Sequence, residues 1–309
     1  MATSIRTLLV GVASAHELDP VLPAALDLAR QLDATLHVAH AYELPSPFIV
    51  PYVGDARPDA PLQEQHAAVL QERLDAQLQS FAEGARAVSH VVEGSAHQRL
   101  CQLAAELGAD LLVVGATRRG RIWRNLLGTT AERVLAGSPV PVLVMHQPFF
   151  RPVRRVVLTT DLSPLSAAVY DAGAELSASL FRTEPELRAL LVLSYDVELP
   201  PPLPPDLLEK TAREELGRFL AARPHGRQAE PRVRVGEPAR EIVQEATDWQ
   251  ADVVVLGTHG RAGLERFVLG SVAESVVRGA TCNVLVLPAA KLPPAAEPGN
   301  RTEVVATAR

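Results

Sequence analysis

Residues 251–288 have the sequence ADVVVLGTHGRAGLERFVLGSVAESVVRGATCNVLVLP, and the architecture of the chain can be predicted from them. Two short apolar runs, 253–256 and 284–287, enclose a glycine-rich segment and a segment whose apolar residues have helical spacing. Short aliphatic runs that are bounded by turn residues are typical of strands buried on both faces of a parallel sheet. The stretch therefore predicts a buried strand, a glycine-rich loop, a helix and a second buried strand.

The glycine-rich loop has the backbone chemistry of a phosphate-binding site. Gly257 ends the first strand, Gly260 lies inside the loop, and Gly270 comes just before the helix. Glycine lets a ligand approach the main chain closely, and successive free N–H groups form a cradle for anions. A helix N-terminus adds unpaired N–H groups and a partial positive charge. A phosphate chain is therefore expected between the end of the strand and the start of the helix.

The start of this helix is predicted from a short motif. Ser271 and Glu274 have the S-x-x-E spacing of a capping box, which places the helix start at Ser271. Gly270 and Ser271 could serve only as that helix start, and Gly257 only as a turn, whereas Gly260 has no comparable structural role. The loop is not a Walker A loop, because no Gly-Lys-Ser/Thr follows its glycines, and it is not a G-x-G-x-x-G fingerprint.

The composition indicates a soluble globular protein. The chain has 309 residues, of which 47% are hydrophobic and 21% are charged, and this length is enough for two domains. A net charge of −6 and an aromatic content of 4% argue against nucleic-acid binding through a basic surface or stacked bases. No apolar run approaches the ~20 residues that cross a bilayer, and no Cys/His cluster has metal-ligand spacing. We therefore predict a cytoplasmic protein with no membrane or nucleic-acid partner.

The chain contains the same pattern twice. At one constant offset, Gly115 aligns with Gly257 and Gly128 aligns with Gly270, and no gap is needed from residue 94 to residue 144. A repeat this long indicates two duplicated domains and not a solenoid.

Each copy alternates apolar runs with helical segments as β-α-β-α-β-α-β-α-β. We predict a first domain over residues 1–146, a second domain over 153–289 and a disordered tail over 290–309. This alternation predicts an α/β fold with two tandem Rossmann-like open parallel five-stranded sheets and helices on both faces. Ligands of such sheets bind beyond the carboxyl ends of the strands, where Asp161 and Gly257 are both expected.

The glycine spacing resembles a known family. Gly257-x2-Gly260-x9-Gly270-Ser271 resembles the nucleotide-binding motif of the universal stress protein family, and residues 257–277 are similar to that family almost throughout. This combined spacing is specific, whereas a Gly-Ser pair alone is not.

The resemblance extends through both copies. Residues 159–161 resemble the end of the family's first strand, and residues 235–238 resemble its V-G-x-P turn. The resemblance covers about residues 3–146 and 153–288, so the chain resembles a tandem universal stress protein.

In ATP-binding members of the family, the resemblance implies a defined set of binding residues. The aspartate that ends the first strand lies at the nucleoside, and the motif glycines and the Gly-Ser pair hold ribose and phosphates. The implied cofactor is ATP, and one carboxylate could also meet a bound Mg²⁺. The implied binding residues of this chain are Asp161, Gly257, Gly260, Gly270 and Ser271.

The first copy departs from the motif at two positions. Ala13 stands where the second copy has Asp161, and Arg118 stands at the position of Gly260. Ala13 removes a polar anchor for the nucleoside, and a large side chain at the second glycine position obstructs the approach of the backbone to phosphate. These departures predict that the first domain has lost the usual nucleotide site, although Arg118 could bind phosphate through its side chain instead.

The sequence therefore predicts a stress-response regulatory protein that binds ATP in its second domain with little or no hydrolysis. We identify no catalytic residue, because one carboxylate without a lysine or an evident base is poor equipment for fast phosphoryl transfer. Two alternatives stay open: a nucleotide-free interaction or dimerisation scaffold, and a slow ATPase. The resemblance also implies that the final strands, 140–145 and 283–287, meet edge to edge in an intramolecular pseudo-dimer, with a homodimer as a further option.

Overall fold

The structure, a computed structural model, describes eight stretches of the chain. They are residues 5–15, 17–43, 60–116, 128–149, 152–181, 184–194, 205–258 and 269–292. Within them, no helix is both long enough and apolar enough to cross a bilayer. Two halves with the same order of strands and helices follow one another along the chain.

Strands form at the apolar runs, because a strand inside a covered sheet must bury both of its faces. The strands of the first half are β1 (Thr7–Gly11), β2 (Thr35–Tyr42), β3 (Arg86–Glu93), β4 (Leu111–Gly115) and β5 (Val142–Met145). Those of the second half are β6 (Arg155–Thr160), β7 (Glu186–Leu193), β8 (Ala229–Val235), β9 (Val253–Gly257) and β10 (Asn283–Leu287).

Helices connect the strands and turn an apolar stripe toward the sheet, as Leu22, Leu26 and Ala29 do on the first of them. In the first half they are α1 (Val21–Leu32), α2 (Ala60–Phe81), α3 (Ala96–Glu106) and α4 (Thr129–Gly137). In the second half they are α5 (Pro164–Phe181), α6 (Pro205–Ala221), α7 (Pro238–Asp248) and α8 (Ser271–Gly279). Short 3-10 helices occur at Gly226–Gln228 and Ala289–Lys291.

The described strands form one ten-stranded sheet, with the order β3-β2-β1-β4-β5-β10-β9-β6-β7-β8. Strands within each half are parallel, but β5 and β10 are antiparallel, with Val142 opposite Val286 and Val144 opposite Val284. The prediction of two separate five-stranded sheets is therefore wrong. The α/β class, the largely parallel pairing and the helices on both faces are confirmed, but hydrogen bonds between the final strands make the two sets of five continuous.

The pairing of β5 with β10 follows from their composition. Every residue of both strands is buried. If either strand were a sheet edge, it would present apolar side chains beside unpaired N–H and C=O groups, which favours aggregation. The expected edge-to-edge meeting of the final strands is confirmed.

Each face of the sheet carries one hydrophobic core, and each core runs through both halves. Alternate strand residues point to opposite faces, so Leu8 and Val10 belong to one core and Leu9 to the other. Helices α1, α2, α5 and α6 cover the first face, and α3, α4, α7 and α8 cover the second. Leu285 lies in the first core and Val284 in the second, so the central strand pair belongs to both.

The outer strands of the sheet are protected against further pairing. On β3, the N–H of Val91 donates to Oε1 of Gln71 on α2 at 3.2 Å. On β8, Pro231 is exposed and has no N–H to offer to another strand. These residues therefore obstruct the pairing of a further strand with either edge of the sheet.

The chain stays ordered beyond the end predicted for its second domain. The 3-10 helix Ala289–Lys291 follows β10, and Leu292 packs against the first core. The first residues of the segment 290–309, which was predicted as a disordered tail, are therefore structured. Residues 293–309 lie outside the described residues, and the predicted domain boundaries remain predictions.

Two cations of the second half reach helix α4 of the first half. The guanidinium of Arg278 lies 3.7 Å from the carboxylate of Glu132 and 2.5 Å from that of Glu274. The ammonium of Lys291 donates to the carbonyl of Ser138, just past the end of α4, at 3.1 Å. The junction of the halves therefore includes polar contacts as well as the strand pair.

Asn283 makes a further polar contact between the halves, just beyond the end of β5. Its side chain is buried, and its Oδ1 accepts hydrogen bonds from the N–H groups of His146 at 2.9 Å and Gln147 at 3.1 Å. Burial lowers the pKa of His146 to about 4, so this imidazole is neutral at pH 7. The repeat places Pro141 at the position of Asn283, so the contact occurs once and not twice.

Asn283→Ala should lower the free energy of unfolding by about 1–3 kcal/mol, because it leaves the N–H groups of His146 and Gln147 without an acceptor. Urea denaturation of the full chain measures this. Gln244→Ala removes an exposed amide that bonds only within α7, and it should change the stability by less than about 0.5 kcal/mol. Equal stability of the two variants would contradict the role given to Asn283.

A second polar cluster lies beneath the outer strands of the second half. The Glu245 carboxylate is 1% exposed and meets three guanidinium groups: Arg188 at 2.7 Å, Arg232 at 3.5 Å, and Arg234. Arg188 also lies over the Trp249 ring, 4.1 Å from its centre. Burial alone would raise the pKa of the Glu245 carboxyl, but hydrogen bonds from Arg234 and Arg188 outweigh it and hold that pKa below its ordinary value.

Glu245→Gln should lower the free energy of unfolding at pH 7 by about 2–3 kcal/mol, because partly buried arginines lose their counter-charge. Since the folded-state pKa of Glu245 is depressed, its stabilisation is complete above the unfolded-state pKa of about 4.3 and is lost as pH falls below it. The difference between parent and variant should therefore shrink between pH 7 and pH 3. Glu230→Gln, at an exposed carboxylate that also pairs with Arg188, is the control and should cost under about 1 kcal/mol. A pH-independent difference would argue against this account.

Candidate functional site

The carboxyl ends of β6 and β9 lie side by side in the second half. Leu158 stands opposite Val255, and Asp161 and Thr258 each follow three residues beyond this pair. From β6 the chain runs on to β7 on one side of this strand pair, and from β9 it runs on to β10 on the other side. In α/β sheets, a ligand crevice opens beyond the strand ends where two such connections leave in opposite directions. The structure therefore brings Asp161 and Gly257 to the same edge of the sheet.

Asp161 sits in a short, tightly bonded loop between β6 and α5. Its Oδ1 accepts a hydrogen bond from the N–H of Ser163 at 3.0 Å. The preceding Thr160 uses its Oγ1 to accept from the N–H of Leu162 at 3.0 Å, and Leu162 has a left-handed φ of 64°. Because main-chain bonds hold this loop, the half-buried carboxylate of Asp161 has a fixed position at the crevice.

The glycine-rich loop is closed at its neck. The N–H of Gly270 donates to the carbonyl of Thr258 at 2.8 Å, so the entry and the exit of the loop meet. The N–H of Thr258 donates to the carbonyl of Leu287 at the end of β10 at 3.0 Å. The loop therefore leaves and re-enters the fold at one point beside the strand ends.

Helix α8 starts differently from the prediction. Gly270, with extended backbone, is the N-cap, Ser271 is the first helical residue, and no side chain of the described residues caps this end. The carboxylate of Glu274 pairs with Arg278 one turn further along. The predicted capping box is therefore wrong, although the helix does begin at Ser271. Uncapped N–H groups and an exposed hydroxyl at a helix N-terminus favour an anionic ligand.

Helix α7, by contrast, has a side-chain cap. Glu237 accepts hydrogen bonds from the N–H groups of Ala239 at 3.1 Å and Arg240 at 2.7 Å. Gly236 turns the chain into this cap with a φ of 152°, and a Cβ there would come within 2.9 Å of Glu241. The V-G-E-P turn therefore has a structural role at the end of β8.

Part of the predicted site lies outside the described residues. Gly260 falls among residues 259–268, and Arg118, its counterpart in the first half, falls among residues 117–127. Their predicted roles stay predictions. The predicted site residues that the structure does describe are Asp161, Gly257, Gly270 and Ser271.

In the first half, a different aspartate reaches the end of the first strand. The N–H of Ala13 donates to Oδ2 of Asp19 at 2.8 Å, and the N–H of Val21 donates to Oδ1 of the same carboxylate at 3.1 Å. Sequence reasoning missed Asp19, because it lies six residues beyond the position of Asp161 in the other half. Both of its oxygens hold the loop that leads into α1.

The first half nevertheless contains a cavity of about 360 Å³ beyond its strand ends. The starts of α3 and α4 both face it, and neither has a side-chain cap among the described residues. Glu43, Thr129 and Arg133 line it, together with Ser95 and His97, whose Oγ and Nδ1 are 2.7 Å apart. Two uncapped helix starts and a guanidinium are suited to an anion.

The described residues contain no group of three or more His, Cys, Asp or Glu side chains that could hold a metal ion.

Comparison with known proteins gives consistent results. The pattern described as the Universal stress protein family matches residues 4–146 and again residues 152–288. A universal stress protein of Mycolicibacterium smegmatis is 31% identical over 297 residues, which cover 91% of this chain and 96% of that protein.

Solved structures share the fold. A functionally unknown protein of Pseudomonas aeruginosa PAO1 superposes with a TM-score of 0.65 at 20% identity and covers 92% of both chains. A universal stress protein of Archaeoglobus fulgidus superposes with a TM-score of 0.61 at 17% identity and covers 91% of this chain and 95% of its own. At these identities the likeness supports the architecture alone.

Because Ser271 is the first helical residue and not the N-cap, Ser271→Ala should change the stability of the ligand-free protein by less than about 0.5 kcal/mol. Glu237→Ala, which removes a real cap, should cost about 1 kcal/mol. Urea denaturation of both variants makes the comparison. If Ser271→Ala lowered the free energy of unfolding by about 1 kcal/mol, the result would contradict this account and support the predicted capping box.

Proposed function

This chain belongs to the universal stress protein family, and on that basis we propose that its second half binds ATP in the crevice between β6 and β9. The observation that carries the proposal is the closed loop neck. It sets the uncapped start of α8 beside the strand end that carries Asp161. Anions are stabilised at such a helix start by N–H groups and by the helix dipole.

Each binding residue has a distinct part in this proposal. Asp161 meets the nucleoside, as the resemblance to ATP-binding members implies, from a loop that main-chain hydrogen bonds keep in place. Gly257, Gly260 and Gly270 let phosphates approach the main chain, and Ser271 adds a hydroxyl at the helix start. ATP brings its own phosphate oxygens, which with Asp161 could hold Mg²⁺.

The proposed site binds and releases its nucleotide more readily than it hydrolyses it. The sequence motif of the second half supplies one carboxylate, Asp161, and no Gly-Lys-Ser/Thr follows its glycines. Fast phosphoryl transfer needs a group that orients the nucleophile and cations that neutralise the phosphates. We therefore propose that the nucleotide acts as a signal in the family's stress response.

A second candidate concerns the first half. Its cavity retains two uncapped helix starts and Arg133, but Asp19 is engaged by main-chain N–H groups in place of a nucleoside carboxylate. This combination favours a phosphate-bearing ligand without the specificity for adenosine. It remains subordinate to the second-half site, because its motif departs at Ala13 and Arg118.

Titration calorimetry of the full chain with ATP should give a stoichiometry near one. Asp161→Ala should weaken the binding of both ATP and adenosine by about tenfold or more, equivalent to about 1.4 kcal/mol, because the nucleoside loses its anchor. Asp19→Ala changes the corresponding loop of the first half and should leave the ATP affinity unchanged. Two equal sites, or Asp161→Ala with parental affinity, would contradict the assignment of the site to the second half.

A further inference from the structure

Thr258 forms hydrogen bonds to three separate parts of the second half. It is 6% exposed, directly after β9. Its carbonyl accepts from Gly270 at 2.8 Å, and its N–H donates to Leu287 at 3.0 Å. Its hydroxyl Oγ1 accepts from the N–H of Ala289 at 3.3 Å. One residue therefore connects both ends of the glycine-rich loop, the end of β10 and the C-terminal 3-10 helix.

The first half lacks this hydroxyl. Ala116 occupies the corresponding position and keeps the main-chain bond, because its N–H donates to the carbonyl of Met145 at 2.9 Å. The N–H just beyond β5, that of Gln147, donates to Asn283 at 3.1 Å instead. The N–H group two residues beyond the last strand therefore has a hydrogen-bond acceptor in both halves. In the first half the acceptor is Asn283 at the junction, and in the second half it is Thr258 at the loop neck.

This difference has a consequence for the loop. In the second half, the neck is tied through Thr258 to the folded segment Ala289–Lys291, which itself packs beside α5. A cradle of main-chain N–H groups binds phosphates well only if surrounding contacts hold it to within about 0.5 Å. The hydroxyl of Thr258 is a side-chain contact that supplies such support at the described part of the neck.

We propose that Thr258 is a positioning residue for the phosphate-binding start of α8. Its hydroxyl, anchored on Ala289, sets the neck at Gly270 so that the main-chain N–H groups at the start of α8 face the phosphates. This inference rests on the proposed function and deepens it. Because the nucleoside is assigned to Asp161, Thr258 affects the recognition of phosphates and not that of adenosine.

The test compares ATP with adenosine in the full chain. Thr258→Val keeps the shape of the side chain and removes the acceptor, whereas Thr258→Ser keeps a hydroxyl. Calorimetry should show ATP binding weakened about fivefold in Thr258→Val, which is the size of one net hydrogen bond at about 1 kcal/mol. Adenosine should bind as to the parent, and Thr258→Ser should retain the parental affinity for both ligands.

Two further variants make the test independent of folding. Thr247→Val is the matched control, because it removes an exposed hydroxyl of α7 whose hydrogen bond, within the described part of the chain, goes to Val243. Thr258→Ala also removes the acceptor, and it introduces the residue that the first half has at the corresponding position, Ala116. It should show the same selective loss for ATP and carries the test if Thr258→Val does not fold.

The outcomes separate this inference from the function on which it rests. A parent chain that binds neither ATP nor adenosine overturns both. A parent that binds ATP, with Thr258→Val and Thr258→Ala binding it equally tightly, overturns only the role of Thr258. Equal losses for ATP and adenosine would make Thr258 a purely structural residue and would also overturn the inference.

Discussion

The antiparallel pairing of β5 with β10 is the interaction on which the rest of the structure depends. Both strands are buried throughout, so neither half could leave its final strand at an open edge without exposing apolar surface. The pairing makes one sheet from two sets of strands and extends each core across the junction. Among the strands that the structure describes, β3 and β8 are the outer ones, and Gln71 and Pro231 obstruct further pairing there.

In the proposed function, the two halves differ in two components of ligand recognition. The proposed affinity for anions comes from helix starts without side-chain caps among the described residues, and a glycine precedes both α4 and α8. The proposed recognition of a nucleoside depends on a side chain at the end of the first strand, and here the halves differ. In the second half, Asp161 follows the first strand and one of its oxygens accepts from Ser163. In the first half, Ala13 stands at that position, and both oxygens of Asp19 hold the loop. A duplicated scaffold can therefore keep one component and lose the other.

Much of the fold could be predicted from local sequence, and less of the site. The apolar runs and the repeat predicted the strands and the helices on both faces, and the family resemblance implied the meeting of the final strands. Continuity of the sheet was missed, because the count of strands per domain ignored hydrogen bonds across the junction. The S-x-x-E spacing predicted a capping box that does not form, because Gly270 is the N-cap residue and the carboxylate of Glu274 pairs with Arg278. The cluster around Glu245 could not be found, because its partners come from separate strands that only the fold brings together.

The contact of Asn283 with the exit of β5 has a consequence for how such a protein can change over time. In a homodimer with a twofold axis, the interface is isologous, and every substitution appears on both sides at once. Here Asn283 meets the main chain of the other half, while Pro141 occupies the equivalent position opposite. Fusion into one chain has released the interface from symmetry. Each half can therefore accumulate substitutions of its own, and a ligand site lost on one side need not be lost on the other.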